Sequence, residues 1–519
     1  MKRRAGQFSL STIIGIGLCA ACSASTPGAG TVESSVDAGV DAGAGADAGA
    51  DAGADADAGA DAGADAGAGA GADAGYDGGY DGGFDGGDDG GREWRECDGS
   101  TLIETYDGGN VSGPRLAASS NGDVLVVWEK VTDGRTDIWA NRFAYASQSW
   151  GVAQPIESFN AGGASEPEIA IDPFGRGVAI WSQSTGTIMR VAANRFDPTT
   201  GWGDAGLINY DGGHGQGPKV VLDSMGNGVA VWIQPLNADL TLASRSRLWS
   251  ARFLAAGGWQ LPTLGESTDA GIVGFPTLAG NPSGTVVAVW AHRIEADEFV
   301  WANRFTPVLG WADAGPIEDH DAGKDSQAVA VDSAGNAIVL WAEYSPFFRI
   351  WSSRSVDAGP WSAPLFVSQS TGGALGPSVG VDDAGNALAV WYAVDGGINF
   401  RVFGSAFIAD GGYWRTPIML NDVEAGYSSD PQIAVYPDGM GIVVWEQDET
   451  PNVYLWSQMF NIDMVTLGSP MPVPRVAPPD SPGSMIDPRI AISGAGMPTI
   501  VWEHWPASGP YYIGTNVCY

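Results

Sequence analysis

Apolar residues in this chain come in short runs that close on tryptophan. "DPFGRGVAIW" (172–181), "DSMGNGVAVW" (223–232), "DSAGNAIVLW" (332–341) and "DDAGNALAVW" (382–391) are near-copies of one ten-residue pattern. The last five positions of each are apolar or small without alternation, the signature of a strand buried on both faces. The terminal tryptophans form a series, Trp128, Trp181, Trp232, Trp290, Trp341, Trp391, Trp445 and Trp502, with gaps of 53, 51, 58, 51, 50, 54 and 57 residues. A glycine lies six residues before each: Gly122, Gly175, Gly226, Gly284, Gly335, Gly385, Gly439 and Gly496. A proline lies fourteen before it in seven units, at 114, 167, 218, 276, 377, 431 and 488, and Gln327 takes that place in the fifth.

Each landmark has a physical role. The proline suits the first residue of a strand, where a missing N–H breaks no ladder. The glycine supplies the positive φ of a tight hairpin. The Asp or Asn nine before the tryptophan (Asp172, Asp223, Asn281, Asp332, Asp382) can accept the turn N–H groups. Two further strands complete each unit. The third reads "DIWANRF" (137–143) or "FVWANRF" (299–305), and the fourth "GWGDAGLI" (201–208) or "GWADAGPI" (310–317). Four short antiparallel strands, repeated eight times, predict an all-β chain folded as an eight-bladed β-propeller, with a seven-bladed ring as the alternative.

The eighth unit lacks its fourth strand, since the chain ends soon after "YYIGTNVCY" (511–519). In six units a turn tryptophan stands 30 or 31 residues before the next unit's landmark tryptophan, and counting 31 back from Trp128 reaches Cys97. Residues of about 96–105 are therefore expected to form the outer strand of the last blade. Cys97 and Cys518 would then face each other across one hairpin, and a Cys97–Cys518 disulfide is expected to lock the ring.

Before the repeats the composition changes. "MKRRAGQFSLSTIIGIGLCAACSAS" has a basic start, an apolar run too short for a permanent span, and small residues, which reads as an export signal. "LCAAC" (18–22) resembles a bacterial lipoprotein box with Cys22 as the lipid-bearing residue, although Cys19 stands where Leu is usual. Ordinary cleavage near Ala24 is the alternative. Residues 37–91 hold fourteen Asp and no Lys or Arg among Ala and Gly, which makes them a self-repelling spacer without a core. The expected organisation is thus a signal over 1–22, a disordered tether over 23–92 and a propeller over 93–519. The chain is expected to be an outer-membrane lipoprotein, with simple secretion as the alternative.

The net charge of −36 argues against nucleic acid and against electrostatic docking on anionic lipid, so membrane association is expected only through the N-terminal lipid. No residue set has the spacing of a catalytic, cofactor or metal motif. The four histidines (His214, His292, His320, His504) fall in loops and are expected to be solvated. Acidic residues directly after landmark tryptophans, Glu129, Glu446 and Glu503, belong to units that adjoin in a closed ring. With His504 and Trp505 they form the candidate ligand-face patch. The repeats resemble bacterial propellers of the sialidase-like and lectin-like kinds. They depart from the sialidase Asp box in the spacing of Gly to Trp. Arg142, Arg195, Arg252, Arg304 and Arg354 recur at equivalent third-strand positions and read as structural. The functional expectation is a monomeric, non-enzymatic envelope module that presents its variable loops to a glycan or a protein and needs no cofactor. The alternatives are a polysaccharide-active enzyme using the rim carboxylates and a scaffold subunit of an envelope complex.

Overall fold

The structure, a computed structural model, describes residues 100–518 apart from 105–107, 160, 210–212, 236–244, 267–270, 321, 370–371, 395–398, 422–425 and 475–482. The signal, the tether and Cys97 lie outside the described residues. The repeats fold into eight antiparallel sheets, the blades of a propeller. Blade 1 runs from Val111–Ala118 through Val124–Thr132 and Arg135–Ala144 to a short broken edge at Ser149–Trp150 and Gln154–Pro155. Blades 2 to 7 repeat this order. Blade 8 contains Gly483–Ile492, Pro498–Pro506 and Tyr512–Val517, and its edge is Thr101–Leu102, paired antiparallel with Thr101 opposite Thr515. The N-terminal strand therefore closes the ring, as the spacing required.

The glycines and the Asp or Asn acceptors do what their chemistry suggested, whereas the prolines lie inside their strands in six blades, at a slip of the ladder, rather than at the first residue. All eight hairpin glycines have positive φ, between 77° and 96°. Asp172 Oδ1 accepts the N–H groups of Phe174 and Arg176 at 2.9 and 3.0 Å, and Asp223 and Asn281 act alike. The second strands are buried on both faces, and all eight landmark tryptophans are fully buried. Each packs against its neighbouring blade. Trp181 clusters with Leu125, Val127 and Ile138 of blade 1, and Trp128 with Val501, Ile513 and Val517 of blade 8. Burying a Trp removes roughly 150–250 Å² from water, so these contacts are the chief apolar cement between blades.

Polar side chains stitch the same junctions. Arg142, Arg195, Arg252 and Arg354 donate to carbonyls of the following blade at 3.0–3.4 Å, and Arg304 reaches Gly335 O. The second residue after each tryptophan forms a buried belt whose chemistry changes from blade to blade. Gln183 Oε1 accepts from Trp181 Nε1 at 2.8 Å, and His292 Nδ1 takes Trp290 Nε1 at 3.2 Å. Lys130 lies 3.8 Å from Glu104, both side chains nearly inaccessible. His292 and His504 are 0% and 2% exposed, which corrects the expectation of solvated histidines: they occupy belt positions inside the blade junctions.

Candidate axial site

The innermost strands carry the feature that shapes the site. At the landmark proline, or at Gln327 in blade 5, the ladder slips by one residue in seven blades, between Ser112 and Arg115 in blade 1 and at equivalent places elsewhere. The slipped residue is left-handed: Gly113, Glu166, Gly217, Ser326, Gly376, Asp430 and Asp487 have φ between 46° and 60°. A bulge frees one N–H from the ladder. At four consecutive junctions a carboxylate of the preceding blade receives it. Glu446 Oε1 accepts from Asp487 N at 2.8 Å, Glu503 Oε1 from Gly113 N at 2.7 Å, Glu129 Oε1 from Glu166 N at 2.8 Å, and Glu166 Oε2 from Gly217 N at 2.9 Å.

The three carboxylates singled out in the sequence thus play the same part in adjoining blades 7, 8 and 1, each holding the bulge of the next blade, and Glu503 feels the charge of Glu129. They differ in what is left over. Both oxygens of Glu503 are held by N–H groups, since Trp505 Nε1 donates to Oε2 at 2.9 Å. In Glu446 and Glu129 the second oxygen has, among the described residues, only a serine hydroxyl at 3.4 Å, Ser429 and Ser112 respectively. His504 does not belong with them: it is buried and stacked on Tyr512 at 6.1 Å.

Sequence reading missed the residues after the landmark prolines. Arg115, Glu168, Lys219 and Arg489 lie within the innermost strands, just past the ladder slip, and are all partly exposed. They form a chain of alternating charge across blades 3, 2, 1 and 8. Lys219 pairs with Glu168, Glu168 with Arg115 at 3.4 Å, Arg115 with Asp487 at 3.6 Å, and Asp487 with Arg489 at 2.6 Å. The available signal was a charge thirteen residues before the tryptophan in four units, where a buried inner strand should be apolar. From blade 6, Tyr392 joins the group through the fields of Asp430 and Asp325.

Burial and like charge set the protonation states. The Glu446 carboxyl is pushed up to about 8, first by burial and then by the charge of Asp430. Glu503 is raised to about 7 by burial, with Asp487 and Glu129 adding to it. Burial also raises Glu129 and Asp430, and pushes the Tyr392 phenol up to about 12. Glu446 and Glu503 thus hold their protons into the neutral range, as a proton donor at such pH requires. Glu157 is raised to about 7 as well, but it sits outside the axis against Arg135 and Asp137.

A second cluster, Glu318, His320 and Glu343, has the spacing of metal ligands. Its carboxylates already share the buried ammonium of Lys324, 2.9 Å from Glu343 and 3.4 Å from Glu318. This is a buried ion-pair network of the blade 4–5 junction, continuous with the polar belt.

No protein-family model matches the chain, and neither does the sequence of any curated protein. Solved structures do match. An ulvan-cleaving polysaccharide lyase is 10% identical with a TM-score of 0.46, covering 80% of this chain and 95% of its own. A leech intramolecular trans-sialidase is 11% identical with a TM-score of 0.35, covering 79% and 92%. An α-L-arabinofuranosidase from Fusarium graminearum is 12% identical with a TM-score of 0.39, covering 70% and 98%. The solved structures that share the fold are mostly lyases and glycosidases, which runs against the expectation of a non-enzymatic module. At such identities they speak to fold, and any chemistry of this chain has to come from its own site.

Proposed function

We propose that this chain is an exported, glycan-cleaving enzyme that works at the axial end of the ring, with Glu446 as proton donor. One observation carries the reading: Glu446 combines a carboxyl raised to about 8 with an oxygen, Oε2, that no N–H of the described residues holds. Glu129, also with one loosely held oxygen, supplies the second carboxyl. In the reaction, Glu446 gives its proton to the glycosidic oxygen as the C–O bond breaks. Glu129 takes a proton from the water whose oxygen bonds to the anomeric carbon. Glu503, saturated by Gly113 and Trp505, fixes blades 8 and 1 around them. The proposal includes the N-terminal reading, in which Cys22 carries a lipid and the acidic spacer holds the ring off the membrane.

The test is a reducing-end assay of the full chain on soluble polysaccharides, namely xylan, arabinan, polygalacturonate, alginate and ulvan. Turnover of one of them that falls at least a hundredfold in Glu446→Gln supports the assignment. Turnover that survives the substitution refutes it, and so does an inactive wild-type chain across the panel.

A further inference from the structure

The acid at the centre of that reading is flanked by aromatic rings on both sides. Toward blade 6, Tyr392 lies edge-on to Phe400 at 5.5 Å and 77°, and Phe400 meets Tyr427 at 6.4 Å and 51°. Tyr427 is 47% exposed and stands two residues before Ser429, the residue opposite Glu446 in the ladder. Toward the outer end of blade 8, Trp505 and Tyr511 stack face to face at 4.8 Å and 9°. Both rings are partly exposed. Trp505 is on the same strand face as Glu503, two residues further out, and is anchored to it through Nε1. Glu503 in turn pairs with Ile486, next to Asp487, whose N–H Glu446 holds. Passing round the ring from blade 6 to blade 8 therefore meets Tyr392, Phe400 and Tyr427, then Glu446, then Glu503, and then Trp505 with Tyr511.

We infer that these two aromatic shelves are subsites for an extended polysaccharide, which lies tangentially across blades 6 to 8 with the scissile linkage over Glu446. Ordinary packing accounts poorly for rings left open to solvent at this end of the ring. Tyrosine and tryptophan suit a ligand with apolar C–H faces and polar rims, because they offer a flat surface beside a hydrogen-bonding edge. The occupant is identified by continuity: one shelf lies two residues from the serine opposite Glu446 and the other is bonded to Glu503, so a chain cleaved at Glu446 would pass over them. The inference rests on the glycan reading of the axial site.

The test separates the two. Full-length Glu446→Gln chain is run in native gels cast with xylan, arabinan, polygalacturonate, alginate or ulvan. The expected result is retardation by at least one glycan. Tyr427→Ala or Trp505→Ala, added to Glu446→Gln, should weaken that retardation tenfold or more. Tyr427→Phe should preserve it, and Phe347→Ala, an exposed aromatic of blade 5 outside both shelves, should leave it unchanged. Thermal melts verify that each variant is folded. Retardation that both alanine variants leave within twofold overturns the shelves even if Glu446-dependent turnover exists, and so does the absence of retardation by every glycan. Retardation lost in folded shelf variants, with no turnover by wild type, keeps the shelves and removes the enzymatic reading.

Discussion

A buried acid held protonated near neutrality leaves a thermodynamic mark that can be measured without a substrate. Glu446 is raised from 4.5 to about 8 in the folded ring. Below pH 4.5 both folded and unfolded chains carry the proton, and the contribution to stability is fully present. Between 4.5 and 8 the unfolded carboxyl ionises while the folded one does not, so stability falls with rising pH. Above 8 the contribution is lost. At roughly 1.4 kcal/mol per pH unit the complete loss amounts to about 5 kcal/mol, and solvent at the axial mouth reduces it to about 2–5. Glu446→Gln removes the titration while its amide oxygen still accepts the Asp487 N–H. The two proteins should therefore melt within about 1 °C of each other at pH 5, and the glutamine variant should be more stable by ~2–6 °C at pH 9. Differential scanning calorimetry at half-unit steps gives the difference directly. A difference that stays constant from pH 5 to 9 refutes the raised carboxyl, and with it the proton donor.

Other consequences test the frame. Lys130→Met leaves Glu104 buried without its cation and should cost about 3–5 kcal/mol in denaturant unfolding, most of which Glu104→Leu restores when added; an innocuous single change would show the pair is not buried. Gly226 has φ of 80°, and a Cβ there would stand 2.7 Å from Asp172 Oδ2 of the preceding hairpin. Gly226→Ala should therefore lower stability by about 2 kcal/mol or more, whereas Gly257→Ala, with ordinary space around it and no positive φ, should change it little. The proposed Cys97–Cys518 bridge should appear as one disulfide-linked peptide pair in a non-reducing digest, and Cys518→Ser should cost about 4–5 kcal/mol in the chain-entropy view. Finding both thiols free would remove the lock but not the closing strand, which is held by the ladder between Thr101–Leu102 and Tyr512–Val517.

The blades were legible because each is specified locally. A hairpin needs Gly at one φ and Asp or Asn at one acceptor position, and a strand covered on both faces needs a continuous apolar run. All of these sit within fifteen residues; the glycine and the apolar run repeat eight times and the Asp or Asn five times. The closing strand followed from the same period. The direction of Glu129, Glu446 and Glu503 could be read too, since each follows a tryptophan whose burial is fixed. Their partners could not. The N–H groups they receive belong to residues as unlike as Gly113, Glu166 and Asp487, because the left-handed bulge goes with the ladder slip rather than with one residue type. Nor could sequence show that Glu503 spends both oxygens on the frame while Glu446 keeps one open. His504 was misplaced for the opposite reason: a strand continuing two residues past its tryptophan turned a supposed loop residue into the polar belt.

The central claim is that Glu446 must be protonated for turnover. The most direct measurement is the pH dependence of kcat on whichever panel glycan the wild-type chain cleaves. The account predicts an alkaline limb with its midpoint near pH 8, the value of the Glu446 carboxyl, and a rate for Glu446→Gln at least a hundredfold lower at every pH. A rate that holds level through pH 9, or a glutamine variant that works as well as wild type, would contradict it.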